Sequence, residues 1–285
     1  MFSATGAGSF GSARDGTRRS AIVRLAVAVV AGLLAYACFA PGPAAAGQSQ
    51  GIPVLVYHRF DPTKAAAMTV TTTAFTAQLA WLTQHHYRVI PLRAALAELN
   101  GTTPGPSSPA VVITADDGHK SVYTELFPLI RKYALPVTLF IYPSAISNAS
   151  YALTWEQLRE MQASGLVDVQ SHTYWHPNFR TERRRRTPAD YQAFVDFQLR
   201  RSRQVLQTRL GKPVDLLAWP FGIVDPELEA AAKQAGYTAA FAYVGGPAEP
   251  GADVLALPRV PVVDSDRGDR FGALLNPVGR NRARR

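Results

Sequence analysis

Cysteine is all but absent: among 285 residues there is one, Cys38, inside an apolar run near the N-terminus. The chain beyond it carries no thiol, which excludes disulfide stapling and thiolate metal ligation there. Long hydrophobic stretches are equally scarce. Only Ala21 to Ala40, broken by Arg24, approaches the roughly 20 apolar residues of a membrane span. Arg14, Arg18 and Arg19 precede it and Ala44-Ala45-Ala46 follows, which are the parts of a secretory signal. Residues 1–46 are expected to be a signal cleaved near Ala46, or alternatively an N-terminal membrane anchor. The protein is then exported: periplasmic, extracellular, or held on the outer face of the cytoplasmic membrane. Ala35 stands where a lipid-attachment site before Cys38 would normally have Leu.

A concentrated charge of one sign is also missing from the body of the chain. The formal charge is +9, but residues 1–46 hold +3 of it and the tail from Arg280 to Arg285 another +4. The remainder, at +2, is close to neutral, which argues against nucleic acid as a partner. Residues 271–285 read as a basic flexible tail, the run Arg183-Arg184-Arg185-Arg186 as a solvated loop that could border a groove, and Asp264, Asp266 and Asp269 as a solvated acidic cluster.

What is present is a rhythm of short apolar runs alternating with helical patterns over residues 47–270. Strands are expected at Pro53–Tyr57, Arg88–Ile90, Ala110–Thr114, Val137–Tyr142, Val167–Gln170, Leu216–Trp219 and Ala239–Val244. Helices are expected at Phe75–Gln84, Leu92–Leu99, Val122–Tyr133, Thr154–Gln162, Pro188–Leu210 and Pro226–Gln234. Repeated strand–helix units predict an α/β fold, either a distorted parallel (β/α) barrel or an open doubly wound sheet.

Polar groups then fall where such a fold does chemistry. His58 ends the first strand, Asp116-Asp117 end the strand of Val111 to Thr114, and His172 ends that of Val167 to Gln170. Unpaired ionisable groups are expensive to bury, so their coincidence at strand carboxyl ends marks a candidate site. A helix cap would account for one aspartate but not for both. His172 and His176, four residues apart, can face one ion from a single helical turn, with Pro177 keeping that turn short. His85-His86 has no carboxylate nearby and reads as a solvated helix end.

Thr114-Ala115-Asp116-Asp117-Gly118 resembles the TFDDG motif of the polysaccharide deacetylases of carbohydrate esterase family 4, with Ala in place of Phe. His172-Thr173-Tyr174-Trp175-His176 resembles their H-[ST]-x-x-H motif, and Ala218-Trp219-Pro220-Phe221-Gly222 their R-x-P-[FY]-G motif. The three stand in the family's order, and the resemblance spans about residues 51–264. It implies a divalent metal, usually Zn2+ with Co2+ or Ni2+ as alternatives, held by Asp117, His172 and His176. It further implies that Asp116 is the base that activates water and that the Phe221 N–H, beside Pro220 and Trp219, helps hold the oxyanion. Amide hydrolysis has the matching needs: a polarised carbonyl, acidified water and a nearby proton acceptor.

Two departures matter. The Arg that opens the third motif, which in many members orients the base, is Ala218 here, and no late Leu-x-His supplies a general acid, since the last histidine is His176. The segment Val54 to Phe60 resembles the early Tyr-His segment of the subgroup acting on poly-β-1,6-N-acetylglucosamine, as do the third motif without its Arg and Leu257-Pro258-Arg259-Val260. That subgroup's pattern assigns the acid to His58. Trp219, Tyr142 and Trp175 offer rings for stacking on sugars or for packing. The expected activity is deacetylation of an N-acetylated extracellular polysaccharide. The rivals are peptidoglycan or chitin-like substrates and a silent carbohydrate-binding domain.

Overall fold

A computed structural model of the chain describes residues 51–103 and 108–276. The N-terminal segment with Cys38, the tail from Pro277 and part of the Gly/Pro/Ser loop after Asn100 lie outside the described residues.

Seven strands form one parallel path in the order β10-β1-β5-β6-β7-β8-β9. They are β1 (Val54–Tyr57), β5 (Ala110–Asp116), β6 (Val137–Ile141), β7 (Val167–Ser171), β8 (Leu216–Ala218), β9 (Ala239–Phe241) and β10 (Val260–Pro261). Short β4 (Arg88–Val89) adds to β5, while β2 (Arg59–Asp61) pairs with β3 (Thr69–Thr71). Every residue of β1, β5, β6, β8 and β9 is buried, as expected of parallel strands covered on both faces.

Alternation along the strands sorts those residues into two cores. Val54, Val112, Phe140, Leu216, Ala218 and Phe241 pack inside the curled sheet. Their neighbours Leu55, Ile113, Leu139, Ile141 and Leu217 face the helices. The sheet returns on itself through the stretch before β10. Leu257 exchanges backbone bonds with Ala240 and Ala242 beside β9, and Val260 then registers against Leu55 of β1. The result is the distorted (β/α) barrel, and the open doubly wound alternative is excluded.

The helices are α1 (Thr72–Gln84), α2 (Leu92–Leu99), α3 (Phe127–Tyr133), α4 (Trp155–Ala163), α5 (Phe179–Arg184), α6 (Pro188–Leu210), α7 (Pro226–Gln234) and α8 (Asp269–Leu275). Local chemistry fixes their ends. Thr154 and Gln157 form a reciprocal capping box on α4, and left-handed Gly211 closes α6. The stretch expected to open a regular helix at Val122 is instead one π turn, Val122–Leu126, leading into α3.

Three readings of the sequence are corrected. The arginine run is not a solvated loop. Arg183 and Arg184 lie in α5, where Arg183 pairs with Asp225 and Glu227, and Arg186 pairs with Glu182 while lying over the Phe194 ring. The late aspartates are not merely solvated. Asp264 accepts from the Thr71 N–H and hydroxyl, which caps the start of α1, and buried Asp266 accepts from the Val263 N–H. The boundary expected after residue 270 falls inside α8, whose Phe271 and Leu275 are buried; Phe271 meets Trp81 edge-on.

Gly222 shows how tightly the barrel mouth is built. Its φ is +66°, and a Cβ there would lie 2.6 Å from the Tyr243 nitrogen. Gly222→Ala is therefore expected to lower stability by about 1–3 kcal/mol. Urea unfolding checks this, and an unchanged midpoint would contradict the packing described.

Candidate active site

The barrel's alternation decides which polar groups meet. His58 continues the inward parity of Val54 and Val56, Asp116 that of Val112 and Thr114, and His172 that of Gln170. All three top the inner core at the carboxyl ends of their strands, where parallel barrels place their chemistry. His58, Asp116 and His172 are all buried.

Asp116 is held by a residue from the far side of the sequence. The Arg259 guanidinium grips both of its carboxylate oxygens, Nη1 to Oδ1 and Nη2 to Oδ2, at 2.7 Å each. Arg259 is itself 1% exposed, donates from Nε to the Ala242 carbonyl at 3.2 Å, and lies over the Phe140 ring. Burial alone would raise the Asp116 pKa. Arg259, aided by His172 and His58, outweighs it and brings the carboxyl down to about 2. The Arg missing at Ala218 is thus replaced in space from the segment that leads into β10. Nothing but the Leu257-Pro258-Arg259-Val260 resemblance marked this residue in the sequence, and its role was not read there. The signal that could have found it was the need for a counter-charge once position 218 was Ala.

Asp117, His172 and His176 form the one group of three potential metal donors among the described residues, their ligand atoms all within 4.8 Å of one another. His172 Nε2 and His176 Nε2 each lie 3.6 Å from Asp117 Oδ1. The Nδ1 of His172 is 2.8 Å from the Ala218 carbonyl, so Nδ1 carries the hydrogen and Nε2 is left as a lone pair. Burial lowers the His172 pKa to about 3 and that of His176 in the same direction, so both imidazoles are neutral. Burial and then neighbouring Asp116 push Asp117 upward, against the pull of His58 and Arg59. Two lone pairs and a carboxylate that gains from a nearby cation fit a first-row divalent ion such as Zn2+.

The histidines are not presented by a helical turn. Thr173 and His176 have φ of +65° and +62°, which a right-handed helix cannot contain. Instead the loop is pinned by side chains. The Thr173 N–H donates to Ser171 Oγ, the His176 N–H to Thr173 Oγ1 and the Trp175 N–H to buried Gln198 Oε1. Asp117 and Phe221 are left-handed as well, at +72° and +56°. Four of the eight non-glycine residues with such φ among the described residues therefore lie in the three motifs, the kind of strain that surrounding structure must over-determine.

The remaining candidates separate. Phe221 sits in a one-turn 3-10 helix, Pro220–Gly222, where its N–H has no intrahelical acceptor, and its ring packs 4.6 Å from that of His176. Trp219 and Pro220 are buried instead of facing the mouth. Trp219 donates to the Leu255 carbonyl and packs on Phe179, so it supports the site from beneath and cannot stack on a sugar. Tyr142 and Trp175 remain partly exposed, the Tyr142 ring 5.5 Å from that of His176. Burial outweighs Asp116 and Asp117 and lowers the His58 pKa; its ring meets Tyr243 edge-on. Tyr243, two residues beyond β9 and on the inward parity of Phe241, belongs to none of the three motifs.

Comparison with known proteins agrees with this geometry. The sequence model of the polysaccharide deacetylase family matches residues 103–240, which contain all three motifs. The YxkH protein of Bacillus subtilis is 27% identical over 80% of this chain and 77% of its own length. The poly-beta-1,6-N-acetyl-D-glucosamine N-deacetylase of Escherichia coli (strain K12) is 25% identical over 70% of this chain, a match that spans only 34% of that longer protein. The solved structure of IcaB from Ammonifex degensii superposes with a TM-score of 0.68 at 26% identity, covering 77% of this chain and 94% of that one. Three motifs in order, a donor triad beside a tethered carboxylate, and these likenesses together identify residues 103–240 as a polysaccharide deacetylase domain.

Proposed function

We propose that this protein is an exported, metal-dependent N-deacetylase of a polysaccharide, with poly-β-1,6-N-acetylglucosamine as the preferred substrate. The observation that carries the reading is the ionised Asp116, clamped by Arg259 and lying 3.8 Å from His172 Nε2 beside the Asp117–His172–His176 triad. A module that only bound sugars would have no use for a buried, counter-ion-fixed carboxylate next to three metal donors. The absent motif Arg, the one feature favouring a silent domain, is answered by Arg259.

Asp117, His172 and His176 would hold the ion. When bound there, it supplies Lewis acidity that polarises the amide carbonyl and acidifies water, which a carboxylate as weakly basic as Asp116 requires. Asp116 takes the proton as water adds to the carbonyl carbon. The Phe221 N–H donates to the developing oxyanion. His58 gives a proton to the amide nitrogen as the C–N bond breaks, releasing acetate and the sugar amine. Burial lowers its pKa while the Asp116 and Asp117 charges favour the protonated ring, so the proton it gives is weakly held. The preference for the β-1,6 polymer is supported by His58 in its early position and by the activity named for the Escherichia coli relative. Export is supported by the character of residues 1–46.

Acetate release from β-1,6-linked N-acetylglucosamine oligomers, with and without added Zn2+, tests the reading. Asp116→Asn is expected to retain metal but lose 10²-fold or more of its turnover, roughly what a positioned base contributes. His172→Ala should lose metal and turnover together. Zinc content and rate, measured on the same samples, check both; normal turnover by Asp116→Asn would sink the assignment of the base.

His58→Ala is expected to slow amide hydrolysis more than hydrolysis of an activated ester, whose leaving group needs little protonation. Equal losses on the two substrates would remove His58 as the acid.

Arg259→Leu strands a buried carboxylate and should destabilise the fold by about 3–5 kcal/mol. The double variant with Asp116→Asn should recover part of that loss. Chemical denaturation of all three variants decides it, additivity being the contrary outcome.

A further inference from the structure

Beside the metal triad lies a cavity of about 390 Å³ lined by Arg59, His119, Tyr142 and Tyr151. None of the four belongs to the reaction described above. The cavity nevertheless abuts that machinery on two sides. Tyr142 packs against the ligand His176, and Arg59 directly follows His58 and acts electrostatically on Asp117.

The walls are fixed. The Tyr142 and Tyr151 hydroxyls share a hydrogen bond of 2.9 Å, and the His119 and Tyr151 rings lie nearly parallel, at 11°. Backbone bonds lace the loop bearing Tyr151 to the segment after Asp117: Lys120 N–H to the Tyr151 carbonyl at 2.8 Å and Leu153 N–H to the Gly118 carbonyl at 2.9 Å. Tyr151 is nonetheless 43% exposed, an aromatic face held open to solvent. Arg59 is exposed too, and among the described residues its guanidinium makes no salt bridge or side-chain hydrogen bond. A rigid aromatic face beside an unpaired planar donor suits a pyranose, whose C–H face stacks on a ring while its hydroxyl and amide oxygens accept hydrogen bonds.

We propose that Arg59, His119, Tyr142 and Tyr151 form a saccharide subsite for the N-acetylhexosamine unit adjoining the one being deacetylated, and that Arg59 discriminates against a neighbour already carrying a free amine. The inference rests on the deacetylase reading above and adds a rule for its product. A guanidinium donates to the carbonyl oxygen of an acetamido neighbour but repels an ammonium group at short range. Each deacetylation therefore disfavours the next one on that side, and the amines become spaced along the chain instead of gathering in blocks.

The test has a binding arm and a turnover arm. Titrating a β-1,6-linked N-acetylglucosamine tetramer into the inactive Asp116→Asn protein should show binding about tenfold weaker when Tyr151→Ala is added, a loss of the size expected for one stacked ring. In the active protein the same change should fall on KM more than on kcat. For turnover, trimers carrying one glucosamine on either side of the target are compared at about pH 6, where a sugar amine is protonated. The intact enzyme should process one of the two isomers about fivefold more slowly than the fully acetylated trimer, and Arg59→Gln should abolish that difference. Acetate release that is indifferent to the amine's position, with tetramer affinity unmoved by Tyr151→Ala, would overturn the subsite and leave the deacetylase reading intact. Loss of tetramer binding in Tyr151→Ala without any acetate release by the parent protein would do the reverse.

Discussion

An ionised carboxylate at the top of an apolar barrel is unstable unless something of opposite charge is buried with it. In this protein that partner is Arg259, 143 residues away in sequence from Asp116. The pair needs the barrel to close. Arg259 lies just before β10, and only the pairing of β10 with β1, together with the backbone bonds that join Leu257 to the β9 edge, carries its guanidinium over Phe140 to Asp116. Closure of the sheet and the charge state of Asp116 are thus one event. The inward layer of Val112, Phe140 and Phe241 beneath them excludes water, which strengthens the pair once it is formed.

The two histidines of the candidate triad depend on the same closure less directly. Their loop follows β7 and is held from outside the barrel. Ser171 Oγ contacts Ser202 Oγ of α6, the Tyr237 hydroxyl donates to Ser171 Oγ, and Gln198 of α6 accepts the Trp175 N–H. From inside, the Ala218 carbonyl fixes the His172 ring. Two left-handed residues in so short a loop persist because hydrogen bonds from both sides over-determine them. Helix α6 therefore serves the site as well as the outer core.

Much of this was legible in order along the chain. Leu92–Leu99, Pro188–Leu210 and Pro226–Gln234 form helices with the bounds their periodicity and end signals suggested, and the buried strands fall where the apolar runs do. Asp116, Asp117, His172 and His176 could be named because their motifs are local. The misreadings share a cause. Phe179–Arg184 was obscured by its charge, since Arg183 finds Asp225 and Glu227 only after α5 and α7 approach. Asp264 and Asp266 read as solvated because Thr71, which Asp264 caps, lies 193 residues away. For Trp219 the sequence leaves stacking and packing both open, because a motif does not say which face of a strand a residue takes.

By itself, then, the sequence determined the alternation of strand and helix, the choice of Asp116, Asp117, His172 and His176 as candidate site residues, and the absence of the expected arginine at position 218. Each is a matter of residue type and short-range spacing, and those survive without coordinates. Tertiary structure alone decided that the sheet closes, that Arg259 supplies the missing charge, that the histidines sit on a strained loop, and that Tyr142 and Tyr151 join Arg59 and His119 around one cavity. Those outcomes turn on strand register and on contacts between residues far apart in the chain, where a side chain's energy depends on neighbours that only folding assembles.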